Sequence, residues 1–382
     1  MKRKIAVITG TRADYGIFYY VLKEIEKHED LDLKLIVCGM HLCPEYGMTV
    51  NEIEKDGFDI ADKFETILAS DTGASMAKSI GLSIISMAQS FDRIKPDLLL
   101  ILGDRGEMLA AATAAIHMNI PVAHIHGGEV TGTVDESVRH AITKLSHIHF
   151  PANEDSKQRI IKLGEKEKNI YVVGAPGLDY IKKTQYISRS EMLKKFELKD
   201  DKIFLLTQHP VTTERDMVEC QIRETLDAVV ELGYQTIVSY PNSDNGGREI
   251  IKVIEEYRAK YQFLKVFRNL SQVEYLSFLD IAAVMIGNSS SGIIEAPSFK
   301  LPVVNIGSRQ DGRLRASNII DVPYGKESVI RGIKKAIYDE GFKNQLENCT
   351  NPYGDGNASG KIAQIISEVK LDRELIQKRI TY

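Results

Sequence analysis

Short apolar runs alternate with longer amphipathic ones along the whole chain, the pattern of a parallel sheet covered by helices on both faces. In the first half the spacing predicts strands at Ile5–Thr9, Leu33–Cys38, Asp97–Leu102, Pro121–Ile125, His149–Pro151 and Ile170–Val173. Helices are predicted between them, for example over Ile17–Lys27, Ala77–Ile94 and Met108–His117. The turn cluster Gly174-Ala175-Pro176-Gly177 then breaks the rhythm. The second half restarts it, with strands at Ile203–Thr207, Gln235–Ser239, Phe263–Phe267, Ala283–Ile286 and Val303–Asn305, and helices such as Arg215–Leu232 and Gly247–Tyr261.

This reading gives an α/β protein of two Rossmann-like doubly wound domains, 1–174 and 175–364, whose strand ends would meet across an interdomain cleft. A final helix, roughly Leu371–Arg379 within 365–382, follows the Gly/Asn-rich stretch Asn351–Gly360 and is expected to pack back on the first domain. The length of 382 residues agrees with two cores rather than one. A net charge of −4 offers no general attraction to nucleic acid or to an anionic membrane, so neither is an expected partner. The four cysteines, Cys38, Cys43, Cys220 and Cys349, have no metal-knuckle or disulfide spacing. The apolar run after Lys2-Arg3-Lys4 is too short for an export segment. A cytoplasmic location is the expectation.

The candidate chemistry sits at predicted strand ends. Ile286-Gly287-Asn288-Ser289-Ser290-Ser291-Gly292 is a hydroxyl- and glycine-rich turn after a buried strand, able to offer backbone N–H groups and a helix N-terminus to phosphate oxygens. Glu295 and Arg309 follow it, suited to ribose hydroxyls and phosphate charge. After the first strand, Thr9-Gly10-Thr11-Arg12-Ala13-Asp14 reads equally well as an arginine-bearing diphosphate turn or as a helix cap by Thr11 or Asp14. It lacks the dinucleotide glycine spacing, so no nicotinamide is read from it. Asp104 and Arg105 end the Leu98–Leu102 run, and His124-Ile125-His126-Gly127-Gly128-Glu129 precedes Asp135 and Arg139. Strand alternation puts His124 and His126 on one side, and the diglycine suggests close backbone approach to a ligand. Two histidines with nearby acids invite a metal, but no H-E-x-x-H or cysteine cluster supports one. Acid–base work by Asp104, Glu129 and Asp135 is the better reading, because carboxylates sharing one place push their pKa values apart. In the second half His209, before Pro210, is exposed at a strand tip as a phosphate donor or proton shuttle, and Asn242 lies in the next strand-end loop.

Together G-T-R-A-D-Y-G, L-G-D-R, H-I-H-G-G-E-V-T-G-T-V-D-E-S-x-R-H, a central H-P and G-N-S-S-S-G-x-x-E…N-I-G-S-R-Q resemble, in order and over nearly the whole chain, the hydrolysing UDP-N-acetylglucosamine 2-epimerases of the sialic and legionaminic acid type. The resemblance implies a glycosyltransferase-B fold, no cofactor, a nucleotide sugar as partner and a homodimer or homotetramer. It implies elimination of UDP from C1 with loss of the C2 proton, then hydration with protonation of C2 from the other face. By position, Arg12, Arg105, Asn242, Ser289, Ser290, Glu295 and Arg309 look like UDP-binding residues, with His209 beside them. Asp104 and Asp135 match catalytic acids, with Arg139 in support. Several relatives carry glutamate where this chain has His126, so either His126 or Glu129 takes that acid–base role, and a different substrate would also bring such an exchange. The resemblance points first to UDP-N-acetylglucosamine, yielding N-acetylmannosamine, with UDP-N,N′-diacetylbacillosamine as the alternative. Loops such as Leu42–Met48 and Asp71–Ser75 would read the sugar's 4- and 6-positions. A non-hydrolysing epimerase, a glycosyltransferase of the same fold and a silent sugar-nucleotide sensor complete the alternatives.

Overall fold

The computed structural model describes residues 2–68, 72–130, 134–241, 246–268 and 270–382. The chain forms two compact units, Met1–Lys182 with Tyr353–Tyr382, and Lys183–Pro352. In the first unit β1 (Arg3–Thr9), β2 (Leu31–Cys38), β3 (Ile60–Phe64), β4 (Leu98–Leu102), β5 (Val122–Ile125) and β6 (Ile148–Phe150) alternate with α1 (Arg12–Lys27), α2 (Val50–Lys55), α3 (Gly73–Ile94), α4 (Gly106–His117), α5 (Val134–Leu145) and α6 (Glu154–Lys162), followed by α7 (Gly177–Lys183). The second unit opens with α8 (Arg189–Lys195) and continues β7 (Phe204–Thr207), α9 (Val218–Leu232), β8 (Thr236–Ser239), α10 (Gly247–Lys260), β9 (Leu264–Phe267), α11 (Gln272–Ile281), β10 (Val284–Gly287), α12 (Ser290–Ile294), β11 (Val303–Ile306), β12 (Ile319–Val322), α13 (Lys326–Tyr338) and α14 (Glu340–Glu347). The chain then returns to the first unit through α15 (Ala358–Glu368) and α16 (Arg373–Ile376).

Each unit holds one six-stranded parallel sheet. The strand orders are β3-β2-β1-β4-β5-β6 and β12-β11-β10-β7-β8-β9. Counted from each unit's own first strand, both follow the doubly wound order 3-2-1-4-5-6. The direction of winding reverses between β1 and β4 in one unit and between β7 and β10 in the other, and ligands of such sheets bind at the carboxyl ends of those strands. Central strands are buried on both faces. Ile5 and Val7 of β1 pack with Phe18, Leu22 and Ile25 of α1 and with Ala358, Ile362 and Ile366 of α15. Ala6 and Ile8 pack with Met87 and Phe91 of α3 and Met108 and Ala112 of α4. That two-sided burial is why these strands read as unbroken apolar runs.

The structure departs from the pattern in five places. Edge strands β3 and β12 were not predicted. Ile170–Val173 forms one bridge to His149 rather than a strand. The Asn351–Gly360 stretch runs into α15, and the final helix shrinks to four residues, Arg373–Ile376. Among the described residues no helix is long and apolar enough to cross a membrane.

The return segment is tied down by a buried charge. Glu165 accepts from Lys144 Nζ at 2.6 Å and lies 2.7 Å from Lys378 Nζ, with His149 Nε2 at 3.2 Å. Burial alone would raise its carboxyl, but the hydrogen bonds from His149, Lys144 and Lys378 outweigh burial and hold it at about 2. A carboxyl depressed below its unfolded value of roughly 4.3 adds stability above that value and loses it as pH falls toward 2. Urea unfolding of Glu165→Gln beside wild type should therefore show a deficit of about 2–3 kcal/mol at pH 7, shrinking from pH 5 downward. A deficit that stays constant to pH 3.5 would show that the charge of Glu165 is not what stabilises the segment.

Candidate active site

At the end of β1 the capping reading applies. Asp14 accepts from the backbone N–H of Gly10 (3.0 Å), Thr11 (2.7 Å) and Tyr15 (3.0 Å) and from the Thr11 hydroxyl (2.6 Å), and Thr11 caps α1 in return. Asp14 is thereby spent inside the turn. Arg12 points outward, its side chain 64% exposed, with Nε 3.4 Å from Glu52. Glu107, in the first turn of α4, covers the ends of β1 and β2. Its carboxyl would lie 2.8 Å from a Cβ on Gly39 and 3.3 Å from one on Gly10. Arg105 Nε sits 3.5 Å from the same carboxylate.

At the end of β4 the structure gathers Asp104, His126, Glu129 and Arg139. Arg139, buried on α5, pairs with Asp104, donates to the His126 carbonyl at 2.9 Å and lies 3.9 Å from Glu129. Glu129 also binds His126 Nδ1. Asp135 lies one turn before Arg139 on α5, exposed, and its charge reaches Asp104. Burial pushes the Asp104 carboxyl up; Arg139 opposes this, and the charges of Asp135 and Glu129 add to it. One arginine thus holds together acids that would otherwise repel, while burial, against the pull of that arginine, leaves Asp104 easier to protonate than a surface aspartate.

Two expectations about the histidine motif change. His126 lies beyond the end of β5 in a left-handed conformation, φ +62°, so strand alternation does not reach it. His124 instead turns inward, Nε2 2.7 Å from the Gly103 carbonyl and Nδ1 3.3 Å from Thr143 Oγ1, and burial foremost pushes it down to about 3. It is a neutral strut that fixes the residue before Asp104. The diglycine serves packing rather than ligand approach. A Cβ on Gly127 would lie 3.0 Å from His124 and Thr143, and one on Gly128 (φ +76°) 2.3 Å from the Ser156 carbonyl oxygen. Among the described residues no group of three or more His, Cys, Asp or Glu side chains is arranged to hold a metal ion.

In the second unit the ends of β7 and β10 are locked together. Asn288 accepts from the backbone N–H of His209 at 2.7 Å and donates to its carbonyl at 2.9 Å. Arg309 (3.2 Å) and Gln310 (2.8 Å) both donate to the Asn288 carbonyl. Burial first, then the Arg309 charge, pushes His209 down to about 3, so its imidazole is neutral. Ser289 caps α12, which is only five residues long, and Ser291 donates to Glu295. So short a helix lends little dipole, and an anion here would depend on backbone N–H groups, hydroxyls and Arg309. Burial raises both the Glu295 carboxyl and the Tyr275 phenol, the latter also through Glu295, while the hydroxyls of Ser291, Thr207 and Ser289 oppose it. Asn242 lies outside the described residues, as does Asp71 of the Asp71–Ser75 loop. Glu107, Tyr275, Asn288 and Gln310 were not singled out from the sequence. Asn288 sat inside the glycine-serine turn and could have been; a lone tyrosine on α11 gives no such signal.

The profile of the UDP-N-acetylglucosamine 2-epimerase family matches residues 23–367. The chain belongs to this family of epimerase enzymes. It is 46% identical over 383 aligned positions to the UDP-N,N′-diacetylbacillosamine 2-epimerase (hydrolyzing) of Legionella pneumophila subsp. pneumophila, with 100% of each chain covered. It is 37% identical over 378 positions to the UDP-N-acetylglucosamine 2-epimerase of Neisseria meningitidis serogroup B, covering 99% of this chain and 98% of the relative. The crystal structure of UDP-GlcNAc 2-epimerase from Neisseria meningitidis bound to UDP-GlcNAc superposes with a TM-score of 0.80 at 20% identity, covering 95% of this chain and 99% of that one. The likeness shows the fold, two doubly wound α/β units of the glycosyltransferase-B kind.

Proposed function

We propose that this family member is a hydrolysing 2-epimerase of UDP-N,N′-diacetylbacillosamine, releasing UDP and the free 2-epimerised sugar. The observation that carries the substrate choice is full-length identity, 46% to the Legionella enzyme named for that substrate against 37% to the Neisseria enzyme named for UDP-N-acetylglucosamine. It reverses the order of preference that the motifs suggested. The released sugar suits nonulosonic acid synthesis in the cytoplasm.

In this reading a base removes the C2 proton as the C1–O bond to UDP breaks, leaving a C1–C2 alkene. Water then supplies its oxygen to C1 while C2 is protonated from the opposite face. The group at the end of β4 supplies the proton movements. Asp104, with its raised pKa, and Asp135 beside it act on the sugar. His126 is held through Nδ1 by Glu129, so the dyad presents Nε2 as the second proton carrier and Glu129 orients it. Arg139 keeps the acids in place. Arg12, Arg105, His209, Asn242, Ser289, Ser290, Glu295 and Arg309 hold UDP. A phosphate arriving near His209 would raise its pKa and favour the protonated, donating form as charge develops on the leaving group.

The test is a product assay in D2O with UDP-N,N′-diacetylbacillosamine and UDP-N-acetylglucosamine in parallel. UDP, a free sugar of inverted C2 configuration and one deuterium at C2 are expected, with the diacetylated substrate favoured at least about tenfold in kcat/KM. Faster turnover of UDP-N-acetylglucosamine would return the substrate assignment to the simpler sugar. Turnover that keeps UDP attached, or that requires an acceptor, would overturn the reaction itself.

A further inference from the structure

The last carbonyls of an α-helix have no partner inside it and carry the negative end of its dipole. At the end of α5 that place is taken by a lysine from the far end of the chain. Lys378 Nζ donates to the carbonyls of Thr143 (3.3 Å), Lys144 (2.6 Å) and Ser146, and its charge is met by Glu165 at 2.7 Å. The segment that carries the lysine is itself seated. Thr381 N–H donates to the Gly164 carbonyl at 3.2 Å, and Ile380 and Tyr382 fill the space that a Cβ on Gly164 would need, at 2.5 and 2.9 Å.

What α5 carries makes this grip more than a helix cap. Two lines of contact meet at Thr143. Its carbonyl accepts from Lys378, and its hydroxyl lies 3.0 Å from the Arg139 carbonyl and 3.3 Å from His124 Nδ1, one proton shared between two acceptors. The first line leads to the arginine that holds Asp104, the His126 carbonyl and Glu129. The second leads through His124 Nε2 to the Gly103 carbonyl, one residue before Asp104. Arg139 Nε is buried and makes no hydrogen bond among the described residues. The guanidinium is therefore not steadied from its own stem and sits where α5 puts it. All these contacts lie within the first unit. We propose that Lys378 is a positioning residue for the 2-epimerase reaction, fixing the carboxyl end of α5 through Thr143 and thereby the places of Arg139 and Asp104. This role rests on the proton transfers proposed above for the group at the end of β4.

Steady-state kinetics with calorimetric UDP titration of the full chain tests it. Lys378→Met, of similar length and without charge, should lower kcat about tenfold, as a small misplacement of reacting groups does. KM and UDP affinity should stay within about twofold. Lys378→Arg should recover most of the loss, since it keeps the charge and a cavity of about 510 Å³ beside Lys378 leaves room for the larger head. Arg139 pulls the Asp104 carboxyl down against burial and the charges of Asp135 and Glu129, so in Lys378→Met the limb of the pH–kcat profile set by Asp104 should move to higher pH. Thr143→Val breaks the same line without touching the lysine, so the test stands whether or not Lys378→Met folds. It should lower kcat by a similar factor, and the double variant should be no slower than the slower single. Turnover of Lys378→Met within about twofold of wild type, or two losses that multiply, would overturn the positioning role. Asp104→Asn measured beside them separates this role from the reaction it serves. Normal turnover of Asp104→Asn would remove the chemistry assigned to the end of β4, whereas a slow Asp104→Asn with a normal Lys378→Met would remove only the role of Lys378.

Discussion

Asp104→Asn should fold normally, bind UDP like wild type and turn over its nucleotide sugar at least about 10²-fold more slowly. The substitution keeps the shape of the side chain and one oxygen for Arg139, so the end of β4 should hold its conformation. What is lost is the ability to exchange a proton. Burial and the charges of Asp135 and Glu129 raise the Asp104 carboxyl against the pull of Arg139. That brings it nearer the pH at which a group can both take and return a proton. An amide does neither. UDP affinity should be spared because His209, Ser289, Ser290, Glu295 and Arg309 belong to the other unit and the isosteric substitution leaves the Arg12 and Arg105 side chains unchanged. Steady-state kinetics with calorimetric UDP titration would decide; a kcat within threefold of wild type would remove Asp104 from the mechanism.

The second large effect is on stability. Gly287→Ala should destabilise the protein by about 3–5 kcal/mol, combining overpacking with a strained backbone. Gly287 adopts φ +123° where β10 pairs with β7, and a Cβ there would lie 2.1 Å from the carbonyl oxygen of Thr207 and 2.7 Å from its carbon. Neither atom is the end of a flexible side chain. Relief must come from separating the two strands at the winding reversal, which would also shift Asn288 and the His209 backbone it clamps. Thermal melting should show a midpoint lower by roughly 10 °C, with weaker UDP binding. An unchanged midpoint would mean that the β7–β10 junction yields at no cost.

The central strands could be read from the chain because burial on both faces writes them as continuous apolar runs. β3, Ile-Ala-Asp-Lys-Phe, and β12, Ile-Ile-Asp-Val, are edge strands with one hydrogen-bonded neighbour each, and their outward charges hide them. Ile170–Val173 had the apolar composition of a strand but only a bridge to His149. The core positions Ala358, Ile362, Ala363 and Ile366 of α15 do follow helical spacing, though the Ser359-Gly360 pair and the glycines before it argue for a loop. Polar clusters at strand tips were legible for a topological reason, since parallel open sheets place their sites there. Which members of a cluster meet was not. The cap by Asp14 stood in the sequence only as one of two equal readings, and nothing there marks His126 as left-handed or Arg139 as the bridge across a 35-residue separation to Asp104.

The return of the chain to its first unit has a consequence for biosynthesis. Residues 183–352 are contiguous, so the second sheet has its full complement of strands as soon as that stretch has left the ribosome. The first sheet emerges earlier but lacks α15, whose Ala358, Ile362 and Ile366 cover one face of β1. The unit made first is thus the last that can close. Until then, the apolar flank of α1 is a surface for a chaperone to shield.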